Sequence, residues 1–384
     1  MDTNPAGELL MGEASGTSMN PQSARMPMLM PRIGSWNLML MGQAFLVDTQ
    51  QPGPRGGDKF YSANWFMGAA EHKLGRGSFM TQIMLSLDPA TITERRYPEL
   101  FQTGETAFGK PIVDGQHPHN FIMGLGFSYA RTLAHDTMFQ IYYAPVGDPA
   151  LGPVAFPHRA SASELPQAAL GHHWQDSSHI ADNVVTVAVK HKMARLEVSG
   201  FHGMEPGEDR WKIDYGAMDS WSTRLSLFPA KNWMAQVSAG RLTRPERQEI
   251  GDVFRSTASL SYSKPMGAES WSSSVIWGRN HSTFTHRNLN SFLAETVVPV
   301  RGKNFVTGRF ELVDKDELFD SGVFRIGAYT AGITRDLPPL VSGLETGIGA
   351  NVTAYTLPGA LKPSYGDRPF GVNVFLRLRI RPGE

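Results

Sequence analysis

The chain has 384 residues and a formal net charge of zero, because 36 lysines and arginines balance 36 aspartates and glutamates. This balance gives no general attraction to a polyanion, so we expect no nucleic acid among the partners. The absence of cysteine excludes disulfides, thiolate metal sites and cysteine nucleophiles. No run approaches about 18 consecutive apolar residues, so no transmembrane helix is predicted.

The first 34 residues are polar, rich in Pro, Ser, Gly and Met, and without a steady hydrophobic period. We therefore predict an N-terminal extension over residues 1–34 and one folded body over residues 35–384. The start has neither a basic region nor an apolar core, so it does not have the features of a secretory signal peptide. For an exported protein, we expect the signal to have been removed or to lie outside this sequence.

From residue 35 onward, a two-residue hydrophobic period recurs in segment after segment, with no helical period between them. Successive side chains of a β-strand point to opposite faces, so each segment predicts a strand with one apolar face. The predicted strands are 35–47, 59–72, 77–87, 119–130, 137–144, 179–190, 193–203, 218–228, 231–242, 254–263, 270–279, 289–299, 303–313, 322–334, 342–355 and 369–381.

The last predicted strand shows the pattern most clearly. Its aliphatic face consists of Val372, Val374, Leu376, Leu378 and Ile380. Its other face carries Arg377, Arg379 and Arg381. A continuous aliphatic face opposite a row of charges is typical of a membrane-spanning barrel, with lipid outside and water inside.

The connections between the predicted strands alternate between short and long. Outer-membrane barrels show this asymmetry, with short periplasmic turns at one end and long external loops at the other. We therefore predict an all-β protein, a transmembrane antiparallel β-barrel of about sixteen strands, with fourteen or twelve as alternatives. In this reading the Met-rich extension 1–34 is periplasmic.

Charged residues share the face opposite the aliphatic residues in many strands. A charge facing lipid at the bilayer midplane would cost about 2–4 kcal/mol, so these side chains are predicted to line the lumen. The predicted lumen residues are Arg195, Glu197, Arg224, Arg255, Glu295, Arg309, Glu311, Arg325, Glu345, Arg377, Arg379 and Arg381. We expect the three final arginines to bias an open lumen toward anions.

Two long connections, 88–118 and 145–178, contain aliphatic and aromatic residues and are too long to be mere linkers. They also contribute histidines, of which His117, His119, His172 and His173 are candidate ligands for Cu(II), Zn(II) or Ni(II). The alternative is a polar network that packs the loops inside the barrel mouth.

Methionines suggest a second, softer site. Met26, Met28 and Met30 alternate along the extension, and thioether ligands favour Cu(I) or Ag(I). The alternative is that methionine acts as a flexible apolar filler. Copper is thus a possible ion, and no other cofactor is predicted.

Asp176, Ser177 and His179 include the residue types of a hydrolase. Neighbouring positions on a strand point apart, however, so these residues cannot form a catalytic triad by themselves. We therefore expect no enzymatic activity, and keep a barrel hydrolase as an alternative.

Four segments carry a family resemblance: YPELFQTGETAFGKPIVDGQHPHN (97–120), GHHWQDSSHI (171–180), SVIWGRN (274–280) and RFELVDKDELF (309–319). The chain resembles an uncharacterised family of porin-like outer-membrane proteins of Gram-negative bacteria, over nearly its whole length and including the Met-rich start. The resemblance implies a β-barrel in the outer membrane and implies no particular activity.

The sequence thus favours an outer-membrane, porin-like channel for small solutes or ions. Its expected partners are outer-membrane lipid and lipopolysaccharide, together with the solutes that pass, and the sequence does not set the oligomeric state. Three alternatives stay open: a copper-handling barrel, a barrel hydrolase and a soluble all-β binding protein.

Overall fold

Sixteen antiparallel strands close into a barrel in a computed structural model that describes residues 5–248, 250–339 and 341–381. Each strand pairs with its neighbours in the chain, and the last strand pairs with the first, as in the register Arg377 to Phe45. The barrel strands are Trp36–Gln51, Gly57–Leu74, Gly77–Leu85, Ile122–Ala134, Thr137–Gly147, Ala181–His191, Ala194–His202, Ser220–Ala230, Trp233–Leu242, Val253–Met266, Glu269–Ser282, Asn288–Val300, Asn304–Lys315, Phe324–Asp336, Leu344–Thr356 and Phe370–Ile380.

The prediction of sixteen strands is confirmed. Tight turns join the strands at one end, and several place a glycine at positive φ, as at Gly75 and Gly267. The opposite end carries the long connections, among them 86–121 and 148–180. This asymmetry identifies the tight-turn end as periplasmic and the other as external. Among the described residues, no helix has the length and apolar character needed to cross a membrane.

The outer surface of the barrel is apolar, and the inner surface is charged and polar. Val374 is 48% exposed on the outside, whereas Arg377 is buried on the inside of the same strand. At the periplasmic end, the ring of Tyr262 contacts those of Trp233 and Trp271, with centroids 4.7 and 5.5 Å away. An apolar band with an aromatic girdle is the surface of a membrane barrel, so the protein spans the outer membrane.

Residues 148–180, which we call the lumen loop, fold into the barrel and are almost entirely buried. The lumen loop contains one helical turn, His172–Gln175, and three short 3-10 turns, Phe156–His158, Ala160–Ala162 and Ser177–Ile180. At the external mouth, an unpredicted hairpin pairs Tyr97–Ala107 with Lys110–Gln116. Its Phe101 stacks on Tyr365 at 4.2 Å and closes part of the mouth. The remaining short helices are Asp88–Thr91, Thr93–Arg95, Gly359–Leu361 and Lys362–Tyr365.

Residues 5–28, which we call the N-terminal segment, enter the lumen from the periplasmic end, with residues 5–21 mostly buried inside the barrel and residues 22–28 at its periplasmic opening. The helix Pro5–Met11 buries Leu9 and Leu10 against the strands 57–74, 77–85 and 122–134. Ser23 then donates its backbone N–H to Lys231 in a periplasmic turn, and the short strand Arg32–Ile33 leads into the wall. Apolar burial thus packs the described start of the predicted extension against the barrel wall, and the division of the chain into an extension and a barrel stays a prediction. The predicted bounds 1–34 and 35–384 also include 1–4 and 382–384, which lie outside the described residues.

Candidate functional site in the filled lumen

The predicted lumen charges mostly bind the lumen loop instead of facing an open pore. Arg159 of the loop is buried, and its Nε and Nη1 donate to Glu295 at 2.6 Å and to Asp176 at 2.8 Å. Arg309 donates to the other oxygen of Glu295 at 2.9 Å, beside buried Glu311. A buried charge is tolerable only when it is paired and hydrogen-bonded, so this cluster fixes where the loop sits.

The arginine ladder is neutralised in the same way. Arg377 and Arg379 both pair with Glu164 of the lumen loop and with Glu345 of the wall. Arg381 reaches Glu345 and Glu269. The expected bias of an open lumen toward anions does not follow from this arrangement, since carboxylates surround each guanidinium.

Nearer the periplasmic end, wall charges hold the N-terminal segment. Arg195 donates to Glu13 at 2.7 Å, and Arg224 donates to Glu197 at 2.8 Å and to Thr17 at 3.0 Å. In the wall beside the lumen loop, Arg255 donates to the backbone carbonyl of His173, at 2.6 Å. The charged residues of the predicted lumen face therefore anchor both the lumen loop and the N-terminal segment.

Arg325 is the exception among the predicted lumen residues. Alternation along the strand Phe324–Asp336 places it on the outward face, with its side chain 56% exposed. It lies at the external rim, where Asp314 accepts its Nε hydrogen bond at 2.7 Å. The lumen assignment of Arg325 was wrong because a charge at the rim lies outside the hydrocarbon, where facing outward costs little.

The four predicted histidine ligands come together in one layer of the lumen. The ring of His173 lies 5.3 Å from that of His172 and 5.7 Å from that of His117. His172 Nδ1 is 2.7 Å from Asp176, and His119 Nδ1 is 2.8 Å from Asp88. Bonded in this way to neighbouring carboxylates, His119 and His172 belong to the packing of the loops.

His173 differs from its neighbours because neither of its ring nitrogens has a hydrogen-bond partner, although the side chain is buried. Its Nδ1 lies 3.5 Å from Glu205 Oε2 and 3.5 Å from Glu246 Oε1. One ligand atom from each of the three residues lies within 4.8 Å of the others. The ligands of a tetrahedral zinc ion lie roughly 3.3–3.6 Å apart, so the two distances from the imidazole fit a shared ion.

Burial sets the protonation of this cluster. It lowers the pKa of His173 well below its usual range, so the imidazole is neutral and able to ligate. Burial, reinforced by repulsion from Glu246, raises the pKa of Glu205 to about 8. Burial also raises the pKa of Glu246 to about 7. Two carboxyls facing one another with raised pKa values form a place where a cation would be stabilised.

Glu205 and Glu246 were not predicted from the sequence. They come from two external loops, 203–219 and 243–252, which have no hydrophobic period. Nothing in the local sequence of either glutamate links it to His173. Only the curvature of the barrel brings the two loops over the lumen loop.

The predicted methionine ligands separate into two groups. Met26 and Met28 line a cavity at the periplasmic end of the lumen, together with Met39 and Met41 of the wall. Met30 is 46% exposed and does not line that cavity. The structure therefore separates Met30 from Met26 and Met28.

The hydrolase candidates do not form a nucleophile and base pair with one another. Ser177 donates its hydroxyl to Glu205 at 2.7 Å and accepts a hydrogen bond from Arg255 at 3.0 Å. His179 Nδ1 is 2.8 Å from the backbone carbonyl of Asp176. These bonds serve the packing of the lumen loop.

Solved structures of similar fold are outer-membrane proteins. They include an anion-selective porin from Comamonas acidovorans, with 10% identity, a TM-score of 0.57, and coverage of 90% of this chain and 100% of that one. OmpF of Salmonella typhi in complex with daunomycin has 9% identity, a TM-score of 0.55, and coverage of 92% and 100%. OmpT of Vibrio cholerae has 8% identity, a TM-score of 0.53, and coverage of 91% and 100%.

At identities this low, the likeness extends to the fold alone. No protein-family model and no curated protein matches the sequence. The chain therefore has the sixteen-stranded barrel of the porins, and its function has to be argued from its own lumen.

Proposed function

We propose that this protein is a constricted outer-membrane channel for small ions, with a preference for cations. The observation that carries the proposal is the filling of the lumen by the lumen loop and the N-terminal segment. Cavities of about 260 Å³ lie at the external mouth, one of about 30 Å³ lies beside His117 and His119, and one of about 520 Å³ lies at the periplasmic end. A series of small cavities suits ions better than bulky solutes.

The preference for cations follows from the charges at the external mouth. One of the two cavities there is lined by a single guanidinium, that of Arg247, and by several carboxyl groups. These carboxyl groups belong to Glu105, Glu205, Glu208, Glu246 and Glu317. Most of the wall arginines named above already have carboxylate partners. At a pH above the raised pKa values of Glu205 and Glu246, the field that an entering ion meets is therefore negative. The proposed role needs no catalysis, and the apolar wall would contact outer-membrane lipid and lipopolysaccharide.

Single-channel recording on the purified full chain in planar bilayers tests the proposal. We expect a small, cation-selective conductance that rises when residues 5–28 are deleted. At a pH above the raised pKa values of these carboxyls, Glu246→Gln with Glu317→Gln should move the reversal potential toward that of anions. Glu94→Gln should not, because Glu94 is exposed outside the cavities. An identical reversal potential in the wild type and the double variant would contradict the cation preference. Silence of both the wild type and the deletion variant would contradict a channel.

A second candidate function, handling of divalent metal ions, is favoured by the unpaired imidazole of His173 between Glu205 and Glu246. Neutral imidazole and carboxylate together suit Zn(II) or Cu(II). Calorimetric titration of the full chain with Zn(II) should give a site that His173→Gln removes. His135→Gln is the matched control, because that side chain is 98% exposed. Equal Zn(II) binding by both variants would exclude this site.

A further inference from the structure

Methionines line the largest of these cavities, at the periplasmic end of the lumen. Its volume is about 520 Å³. The lining methionines are Met11, Met19, Met26, Met28, Met39, Met41 and Met138. They come from two sources, the N-terminal segment and the barrel wall, so the cavity exists only when the segment is seated in the barrel.

Methionines also lie in the barrel wall beside the cavity. Met41 pairs with Met67, and Met67 pairs with Met84, so three adjacent strands place methionines in one row on the inward face. Inward positions elsewhere in the barrel carry mainly charged and small polar residues. A lumen wall is normally polar. The row of thioethers is therefore a local departure that needs its own explanation.

An imidazole lies at the border between the cavity and this row. His158 of the lumen loop lines the cavity, and its Nε2 is 2.7 Å from the sulfur of Met84. Its ring packs on Trp65, with centroids 4.3 Å apart. Nitrogen and sulfur donors thus meet beside an aromatic wall.

Packing alone does not account for this arrangement. Methionine fills irregular gaps in cores because it is flexible, and protein interiors leave few voids larger than a water molecule. Here flexible side chains surround a cavity instead of filling it. Met26 and Met28 are only half-buried where they border the cavity, so a ligand can reach their side chains, whereas Met39 and Met41 are more deeply buried.

We propose that this cavity binds Cu(I) or Ag(I) through thioether sulfurs. Thioethers are soft ligands that select these ions over hard cations, which prefer oxygen. Met26 and Met28 of the N-terminal segment and Met39 and Met41 of the wall are the central ligands. Equilibrium binding at this site does not depend on conduction, so the site stands or falls separately from the channel proposal.

The test is a titration of the full chain in detergent micelles with Ag(I), which needs no reductant. The lumen variant carries Met26→Leu, Met28→Leu, Met39→Leu and Met41→Leu, which conserve side-chain volume and remove sulfur. Its matched control carries Met193→Leu, Met218→Leu and Met266→Leu, all at exposed positions. We expect at least tenfold weaker Ag(I) binding in the lumen variant and unchanged binding in the control.

Equal Ag(I) affinity in the wild type and the lumen variant would overturn the proposal, and so would a wild type that binds no Ag(I). A second measurement decides the matter should the lumen variant fail to fold. In the wild type labelled with ¹³C at the methionine methyl groups, saturating Ag(I) should shift the resonances of Met26, Met28, Met39 and Met41. Shifts confined to the exposed methionines would overturn the site.

Discussion

The lumen loop and the N-terminal segment both fill the barrel, but different forces hold them. The loop presents charged groups, such as Arg159 and Glu164, that pair with charges of the wall. The N-terminal segment presents Leu9, Leu10 and several thioethers, with Glu13 as its main ionic anchor. Ion pairs have direction and are costly to break, whereas thioethers adapt to their surroundings. The lumen loop is thus held rigidly by ion pairs, whereas the N-terminal segment packs through side chains that can adapt their conformation.

The largest effect is expected when the ion pairs that hold the lumen loop are broken. Arg159→Met would leave Glu295 and Asp176 buried with fewer cationic partners, which typically costs about 3–5 kcal/mol. We expect the lumen loop to become accessible to protease and the single-channel conductance to rise. Met19→Leu, a volume-conserving change in the N-terminal segment, should cost less than about 1.5 kcal/mol and alter neither readout. Equal protease patterns for Arg159→Met and the wild type would refute an ion-pair anchor.

The next prediction concerns the wall that surrounds both fillings. Val374→Arg places a charge in the hydrocarbon and should lower the free energy of unfolding in lipid by about 2–4 kcal/mol. Thr356→Arg, outward at the external rim, should cost only about 0–1 kcal/mol. An inward neighbour would be unsuitable as the control, because Asn373 is buried and donates to Gln167 and Asn351, each at 2.8 Å. Urea titrations in lipid vesicles give the comparison, and similar losses for both arginines would place Val374 outside the hydrocarbon.

A smaller effect concerns the pH dependence of Zn(II) binding at the cluster of His173, Glu205 and Glu246. Zn(II) binding at His173 requires Glu205 and Glu246 to lose protons, and burial raises their pKa values to about 8 and about 7. Lowering the pH from 8 to 6 should therefore weaken Zn(II) binding by roughly tenfold per unit for each carboxyl whose pKa lies above the pH, and so more steeply below about pH 7 than above it. In the metal-free protein, the contribution of these carboxyls to the stability of the fold changes with pH in the opposite direction. Stability from these carboxyls is present below their ordinary pKa near 4.5 and is lost as the pH rises through the raised values.

Calorimetry at several pH values tests this dependence. Glu246→Gln removes one of the two titrating groups and should give a shallower slope. Arg255 and Lys315 also face these carboxyls and stay in place in every variant. A Zn(II) affinity that does not change between pH 6 and pH 8 would be inconsistent with the arrangement.

The smallest effect concerns the contact between the N-terminal segment and the lumen loop. Ser15 donates its hydroxyl to Asp148 at 2.7 Å, and both residues are buried. Ser15→Ala should lower the free energy of unfolding by about 0.5–1.5 kcal/mol and speed hydrogen exchange in the N-terminal segment. Exposed Ser35→Ala should change neither quantity. Matching exchange rates for the two variants would show that the fillings are held independently.

The wall was predictable from sequence because its information is local. Alternation along a strand assigns each side chain to lipid or lumen without reference to any other strand, as in 370–380. Arg325 was misplaced because its charge was treated as if it lay at the bilayer midplane, although alternation puts it on the outward face with Tyr329 and Ile333. The hairpin Tyr97–Ala107 with Lys110–Gln116 was missed because its strands contain β-bulges that break the period.

The lumen site was predictable only in part. His117, His119, His172 and His173 were found by residue type, and the structure brings them into one layer. Which of them keeps free nitrogens depends on Asp88 and Asp176, and the partners of His173 come from distant loops. The inward charges were found as well, but their role as anchors depends on Arg159 and Glu164, which carry no local signal.

The last strand meets the first at a seam where the barrel closes, and the lumen loop holds this seam from within. Gln43 of the first strand donates its side-chain amide to the carbonyl of Ser163, at 2.8 Å. The next residue, Glu164, accepts hydrogen bonds from Arg377 and Arg379 of the last strand. Two consecutive residues of the lumen loop are therefore hydrogen-bonded to the first and the last strand on either side of the seam. The resistance of the wall to opening sideways into the membrane thus depends on a segment that never touches lipid.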